Sequence, residues 1–247
     1  MLVLAIESAT DAAAVALADS SGVIALAGVE QGRRHGETIA PAIVEVCARA
    51  GVAPSDVQAV AVDVGPGLFT GLRVGVATAQ AFAAALGIPV VPVGSLRILA
   101  QAAAESAAGS GRAGDDVEVV AAVDARRGEI FWARFTVAPA PPWHAHRRHE
   151  DRLSSTGALL VELGHEQTTV VGDGALRYAG QLAAAGHRVA GPMLAHPPVA
   201  VLASLGRRRL LQCRTLPPSG VVPRYLREAD ARINWEQRLP SRPPAAT

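Results

Sequence analysis

Residues 2–18, LVLAIESATDAAAVALA, read as an apolar strand that stops at an acid, a short polar tip and a second apolar strand. Residues 117–137, VEVVAAVDARRGEIFWARFTV, repeat the plan. Each copy sets a carboxylate where its first strand ends, Glu7 in one and Asp124 in the other. One strand–acid–turn–strand unit in each half of the chain predicts an internal duplication, and therefore an α/β protein of two lobes with mixed central sheets flanked by helices.

Working outward from the first copy, residues 22–29 supply a third strand after the turn Ser20-Ser21-Gly22. Apolar residues at Ile39, Ile43, Val44 and Val46 recur at helical spacing in a helix from about Gly36 to Ala50, and Gly51 ends it. A buried strand at 59–64 follows, then a helix capped by Thr70 and running to Gly87, a strand at 88–93, and a helix from Ser95 to about Ala108. The second half adds an irregular insertion at 139–152, a helix near 156–163, a strand at 168–172, and helices at 175–185 and 198–213. The Gly-rich run 109–114 reads as a linker, so the lobes are assigned to residues 1–110 and 111–239, with 240–247 as a disordered tail.

Composition narrows the function. Of 247 residues, 50% are hydrophobic and 18% charged, which is a globular balance, and the net charge of +1 excludes coating nucleic acid by bulk charge. The charge is unevenly placed: residues 1–110 carry a net −4 and the remainder +5. No lysine occurs, which removes Schiff-base chemistry and the Walker lysine. Cys47 and Cys213 lack metal-ligand spacing and fit reduced thiols. With no signal-like start and apolar runs such as 74–86 interrupted by Gly, Thr and Gln, a cytoplasmic protein away from membranes is expected.

The richest local chemistry lies in VDVGPGLFTGLRVG, residues 62–75, where a strand enters Gly65-Pro66-Gly67 ahead of a helix. Backbone amides there can face an anion, or the motif is simply a tight turn. Gly71, Gly75, Ala79 and Ala83 form a smooth strip along that helix. Such a strip suits either a second helix or, more commonly, the protein's own sheet. The tips around Glu7, Ser8 and Thr10 and around Asp124, Arg126 and Gly128 are candidates to bracket a cleft for a nucleotide phosphate and magnesium, although the first tip lacks glycine and also reads as a plain turn. His144, His146 and His149 have no helical spacing to hold a metal, and no Gly-x-Ser-x-Gly elbow is present. Arg207-Arg208-Arg209 and Pro223-Arg224-Tyr225-Leu226-Arg227 form either a patch for phosphate or an acidic partner, or cations that complement a helix end.

Four motifs in order, LAIESAT, GPGLFTGLRVG, DARRGEIFWA and PRYLR, resemble the TsaB (YeaZ) family of tRNA threonylcarbamoyladenosine biosynthesis. The resemblance implies the duplicated actin-like, hexokinase-like (RNase H-like) fold. It also implies a role in placing threonylcarbamoyl on the anticodon-adjacent adenosine of tRNAs that read codons starting with A. In that system the paralogue TsaD is the transferase and TsaE an ATPase, so this chain is expected to be a non-catalytic partner that meets tRNA only through the complex. TsaD-like proteins carry a His-x-x-x-His metal pair where this chain has Ser95 and Leu99, and leucine cannot coordinate iron or zinc. No metal and no cofactor of its own is therefore expected, with ATP or ADP and a metal ion on the partner subunits or at the interface. In relatives the helices at 36–50 and 70–86 pair with TsaD or with a second TsaB as a homodimer. That assigns Ile39, Ile43, Val46, Gly67, Phe69, Thr70, Gly71, Arg73, Val74, Gly75 and Thr78 to the partner interface, with the small strip facing outward. The rival readings are a freestanding ATP-binding kinase-like enzyme, a glycoprotease-like peptidase, and a homodimeric binding module.

Overall fold

Two sheets share one strand order. The computed structural model describes residues 1–29, 35–108, 117–138 and 144–227. In the first sheet β1 (Val3–Glu7) pairs antiparallel with β2 (Ala13–Asp19), which pairs with β3 (Gly22–Val29). On its other side β1 runs parallel to β4 (Ala59–Asp63), reached through helix α1 (His35–Ala50), and β4 runs parallel to β5 (Val90–Val93), reached through α2 (Phe69–Leu86). The order is β3-β2-β1-β4-β5. β1 and β4 are buried along their whole length, which is why both read as unbroken apolar runs rather than alternating ones.

After α3 (Ser95–Ala108) the plan recurs. β6 (Val117–Arg126) pairs antiparallel with β7 (Glu129–Val137), whose outer edge takes β8 (Ala145–Arg147) and β9 (Arg152–Ser155). Through α4 (Thr156–Leu163) the chain reaches β10 (Thr169–Val171), parallel to β6. Two short helices, α5 (Asp173–Arg177) and α6 (Ala179–Ala184), then lead to β11 (Arg188–Val189). Read from the other edge, the order β8-β7-β6-β10-β11 matches the first sheet strand for strand. The duplication expected from the two hairpins is therefore present in the topology.

The last helix of each half crosses to the other lobe. α1 and α2 cover the face of the first sheet that carries Leu4, Ile6, Val15 and Leu17. The opposite face, with Val3, Ala5, Ala16 and Ala61, is covered by α7 (Val199–Leu211) from the second half. α3, from the first half, packs Leu96, Leu99 and Ala100 against Val119, Ala121 and Val123 of the second sheet. α4 and the α5–α6 pair cover the remaining face around Trp132 and Val170. Each lobe in space thus draws a helix from both halves of the chain, and separating them would expose fully buried side chains worth about 1.5–3 kcal/mol apiece.

Several boundaries differ from the sequence expectation. Leu68, not Thr70, is the N-cap of α2, and it gives no side-chain cap bond. The helix expected at 175–185 breaks at Tyr178, whose φ/ψ of −111° and 25° serve both as the end of α5 and as the start of α6. The insertion expected to be irregular carries β8 in its described part, and β9 begins at its last residue, Arg152. Gly87 closes α2 in the left-handed region, φ 65°, as a terminal glycine should. The linker at 109–114 and the tail at 240–247 lie outside the described residues.

Candidate functional site

Acids stand at matching strand ends in both lobes. Glu7 ends β1 and Asp63 ends β4; Asp124 lies near the end of β6 and Asp173 just past β10. Glu7, Asp63 and Asp124 make the same local closure, accepting a hydrogen bond from the backbone amide two residues on. Glu7 Oε1 takes Ala9 at 2.9 Å, Asp63 Oδ1 takes Gly65 at 2.8 Å and Asp124 Oδ1 takes Arg126 at 3.0 Å. For Asp63 and Asp124 this is the Asx turn, in which a short acid satisfies an amide that the ending strand leaves free, and Glu7 makes the equivalent closure with a side chain one methylene longer.

In the first lobe the acids turn inward. Glu7 is 2% and Asp63 0% exposed, the two carboxyls interact directly, and Asp63 Oδ2 has no donor among the described residues. Burial, then the Asp63 charge, raises Glu7 well above the usual carboxylate range, and burial lifts Asp63 to about 7. Two buried acids in contact keep a proton between them, because both cannot ionise there. Ser95 Oγ donates to Asp63 Oδ1 at 2.7 Å from the start of α3. Ser8 donates to the carbonyl of Gly71 at 2.9 Å, tying the first tip to α2. Thr10 is fully buried, and its Oγ1 has no hydrogen-bond partner among the described residues.

The second tip is ionic. Arg126, Arg127 and Gly128 all have positive φ, at 63°, 55° and 81°, which turns the β6–β7 hairpin sharply. Arg126 pairs with Asp124 at 3.1 Å and reaches across the lobes to Asp11 at 2.5 Å. Arg177 approaches Asp124 at 3.6 Å, and the Asp124 amide donates to Asp173 Oδ1 at 2.9 Å. Burial, ahead of the neighbouring Asp124 charge, raises the Asp173 carboxyl.

Of the cleft candidates, Asp124, Arg126 and Gly128 share one tip, with Arg126 in contact with the other. Glu7 and Ser8 are corrected: they bond inward, to Asp63 and to α2, and do not offer free groups to a cleft. The amides of Ala9 and Arg126, which a phosphate would need, are already taken by their own carboxylates. Asp11, Asp63 and Asp173 belong to the arrangement but were not among the candidates. Asp173 could have been found by carrying the acid after β4 onto the matching strand of the repeat. No group of three His, Cys, Asp or Glu side chains placed to hold a metal occurs among the described residues. Leu99 is fully buried in the second lobe's core, and Ser95 is spent on Asp63.

The expected partner surface divides in two. Ile39, Val46, Gly71 and Gly75 face inward, which corrects their assignment to an interface. A Cβ on Gly75 would run into Ser8 Oγ and lie 3.8 Å from Ile6 Cγ2, so the small strip of α2 seats the helix on β1. Ile43 is also buried but floors an open groove of about 620 Å³ between α1 and α2, edged by Ala40, Val44, Ala77, Thr78 and Ala81. Gly67, Val74 and Thr78 are half-buried, whereas Phe69, Thr70 and Arg73 are exposed. The Arg73 guanidinium lies 3.9 Å over the Phe69 ring and donates through Nε to Tyr225 Oη at 3.2 Å. Tyr225 belongs to the PRYLR segment, which stitches the lobes together. The Arg224 amide donates to Val64 at 2.7 Å, and Arg227 donates to the carbonyl of Ala125 at 2.9 Å and pairs with Glu129.

The family described as TsaD, tRNA N6-adenosine threonylcarbamoyltransferase, matches residues 27–140. The chain is 35% identical over 167 residues to the tRNA threonylcarbamoyladenosine biosynthesis protein TsaB of Escherichia coli, covering 68% of this chain and 66% of that protein, a little short of two thirds of its length. It is 28% identical to the TsaB protein of Haemophilus influenzae across 98% of both chains. The solved structure of YeaZ from Pseudomonas aeruginosa superposes with a TM-score of 0.74 at 26% identity, covering 91% of this chain and 99% of that one.

Proposed function

Because the chain belongs to the TsaB (YeaZ) family, we propose that it serves tRNA threonylcarbamoyladenosine biosynthesis as a non-catalytic subunit that partners TsaD, together with TsaE. The transfer to the anticodon-adjacent adenosine would take place on TsaD, and this chain would shape and hold its partner. The observation that carries this reading is α3. Where TsaD-like proteins place a metal-binding pair of histidines, Ser95 donates to Asp63 and Leu99 is sealed in the second lobe's core. Neither residue can present a metal to a substrate.

The cleft supports the same reading. A nucleotide bound between the tips needs free amides and an acid open to magnesium. Here the Ala9 and Arg126 amides are taken by their own carboxylates, Glu7 is buried beside Asp63 with its pKa raised, and the Asp11–Arg126 pair spans the gap. These contacts favour a chain that carries no nucleotide of its own, with ATP or ADP on the partner subunits or at the interface. The open groove between α1 and α2 gives the partner an apolar seat, with Val44 64% exposed on its edge.

The deciding experiment mixes the purified chain with TsaD and TsaE from the same cell, with ATP, threonine, bicarbonate, the enzyme that makes the threonylcarbamoyl donor, and tRNA. Modified adenosine is expected only when this chain and TsaD are both present. Transfer by this polypeptide with TsaD omitted would overturn the proposal.

A further inference from the structure

A cavity of about 350 Å³ opens where the two lobes meet, and none of its lining residues belongs to the hairpin tips. Among the described residues four guanidinium groups line it, Arg97 from α3, Arg147 from β8, Arg209 from α7 and Arg224 from the C-terminal strap, against one carboxylate, Glu150. Two of the four are balanced: Arg147 and Arg224 both pair with Asp151, Arg224 at 3.1 Å, and Arg224 lies 3.8 Å from Glu150. The other two are not. Arg209 donates to the carbonyl of Pro92 and has no acidic partner among the described residues. The Arg97 side chain has neither a hydrogen bond nor an ion pair among them, and its Nε is shut off from solvent without an acceptor.

Further cations stand behind this wall. Burial first, then the charges of Arg209, Arg208, Arg147 and Arg214, pulls the Arg97 guanidinium down to about 10. Arg208 donates to His144 Nδ1 at 2.7 Å, so that imidazole is an acceptor and supplies no negative charge. Like charges gathered in a half-enclosed site, one of them with an unsatisfied buried donor, are unfavourable unless a counter-charge joins them. Among the described residues no aromatic side chain lines the cavity, so recognition rests on charge and on the forked geometry of guanidinium, which matches phosphate oxygens. The volume lies at the small end of ligand pockets.

We propose that this inter-lobe arginine pocket binds a small phosphate-bearing anion of about pyrophosphate size, with Arg97 and Arg209 as its principal donors. The site is separate from the cleft between the hairpin tips, and it stands whether or not the chain partners TsaD. It also gives the Arg207-Arg208-Arg209 and PRYLR segments a shared role: the first sends Arg209 and the second Arg224 into one pocket.

The test is calorimetric titration of the full chain with inorganic pyrophosphate and with orthophosphate at low ionic strength, with circular dichroism melting to check the fold. Saturable binding is expected. Arg97→Gln should weaken it about tenfold or more, as expected for loss of a charged hydrogen-bond donor. Arg188→Gln, on the far edge strand β11, should leave it unchanged. If Arg97→Gln melts early, Arg209→Gln carries the same comparison from the opposite wall. Adding tRNA separates the sources: displacement of pyrophosphate assigns the pocket to a nucleic-acid phosphate, and no displacement assigns it to a free anion. No binding of either anion up to millimolar concentration, or equal affinity in both arginine variants and the parent, would refute the proposal.

Discussion

Arg126, at the tip of the second hairpin, reaches Asp11 at the tip of the first at 2.5 Å, so the two copies of the repeated unit touch across the lobes. Both side chains are about half exposed, at 44% and 53%, and water screens such a pair. Asp11→Asn is therefore expected to cost no more than about 1 kcal/mol, and less at high salt. Asp124 is different, since it is buried and holds the Arg126 amide and guanidinium together. Asp124→Ala should cost about 2 kcal/mol, the scale of a charged hydrogen-bond network. Urea denaturation of both variants checks the order, and a larger loss in Asp11→Asn would contradict this account of the tip.

The Glu7–Asp63 pair predicts a pH dependence of definite sign. Both folded-state pKa values lie above the ordinary range, so across the window from about 4 to about 7 the folded chain holds more protons than the unfolded one. Stability from this pair is therefore full at the acid end and declines as pH rises toward 7 and beyond. Glu7→Gln keeps the amide-accepting oxygen and a donor toward Asp63 while removing one ionisation. Its melting temperature should vary less between pH 5 and pH 8 than that of the parent, and should equal or exceed the parent's at pH 8. Ser95→Ala removes a bond that lowers the Asp63 pKa, so the decline should move to higher pH. A parent protein with the same pH profile as Glu7→Gln would show that the pair holds no shared proton.

Much of this architecture was legible because it rests on continuous apolar strands. β1, β4 and residues 119–123 of β6 are buried central segments, so their sequences carry no competing polar pattern apart from the acids at their ends. β8 and β9 escaped notice because they are three and four residues long and carry Arg147, Arg152 and two serines. Their pairing is set by the free edge of β7 rather than by their own propensity. The direction of the small strip on α2 was ambiguous for a physical reason: glycine and alanine permit close approach equally to a partner helix and to the protein's own strand. Only the position of Ser8 and Ile6 beneath Gly75 decides it. The acids Asp63 and Asp173 were passed over because their meaning depends on a three-dimensional match between strand ends that are far apart in sequence.

That ambiguity yields a paired prediction on α2. Gly75→Leu forces a side chain into Ser8 and should destabilise the fold by about 1–3 kcal/mol or more, the cost of overpacking. Reduced TsaD binding by this variant would follow from lost structure. Ala81→Arg, exposed on the groove edge, should change stability by no more than about 0.5 kcal/mol. If the groove receives TsaD, as proposed, it should nevertheless weaken that complex at least tenfold by placing a charge in an apolar seat. Melting curves and a pull-down titration separate the two effects, and normal TsaD binding by Ala81→Arg would remove the groove from the interface.

The last prediction concerns the helix that lacks the histidines. Ser95 and Leu99 are one turn apart on α3, yet they serve different lobes: Ser95 bonds Asp63 of the first, and Leu99 packs into the second, with its Cδ1 3.2 Å from where a Cβ on Gly172 would lie. Leu99→Ala should cost about 2–5 kcal/mol, as for other fully buried leucines. Leu99→His adds an imidazole to the same apolar site without a hydrogen-bond partner for its nitrogens, so it should be at least as damaging, and worse at acid pH, where the imidazolium would have to be buried. Reinstating histidine here should therefore undo the packing of the second lobe before it creates a catalytic site. Thermal melts of Leu99→Ala and Leu99→His at pH 5.5 and pH 8 measure this. A histidine variant as stable as the parent at both values would show that the position is open to a ligand after all, and the argument for a non-catalytic subunit would lose its structural support.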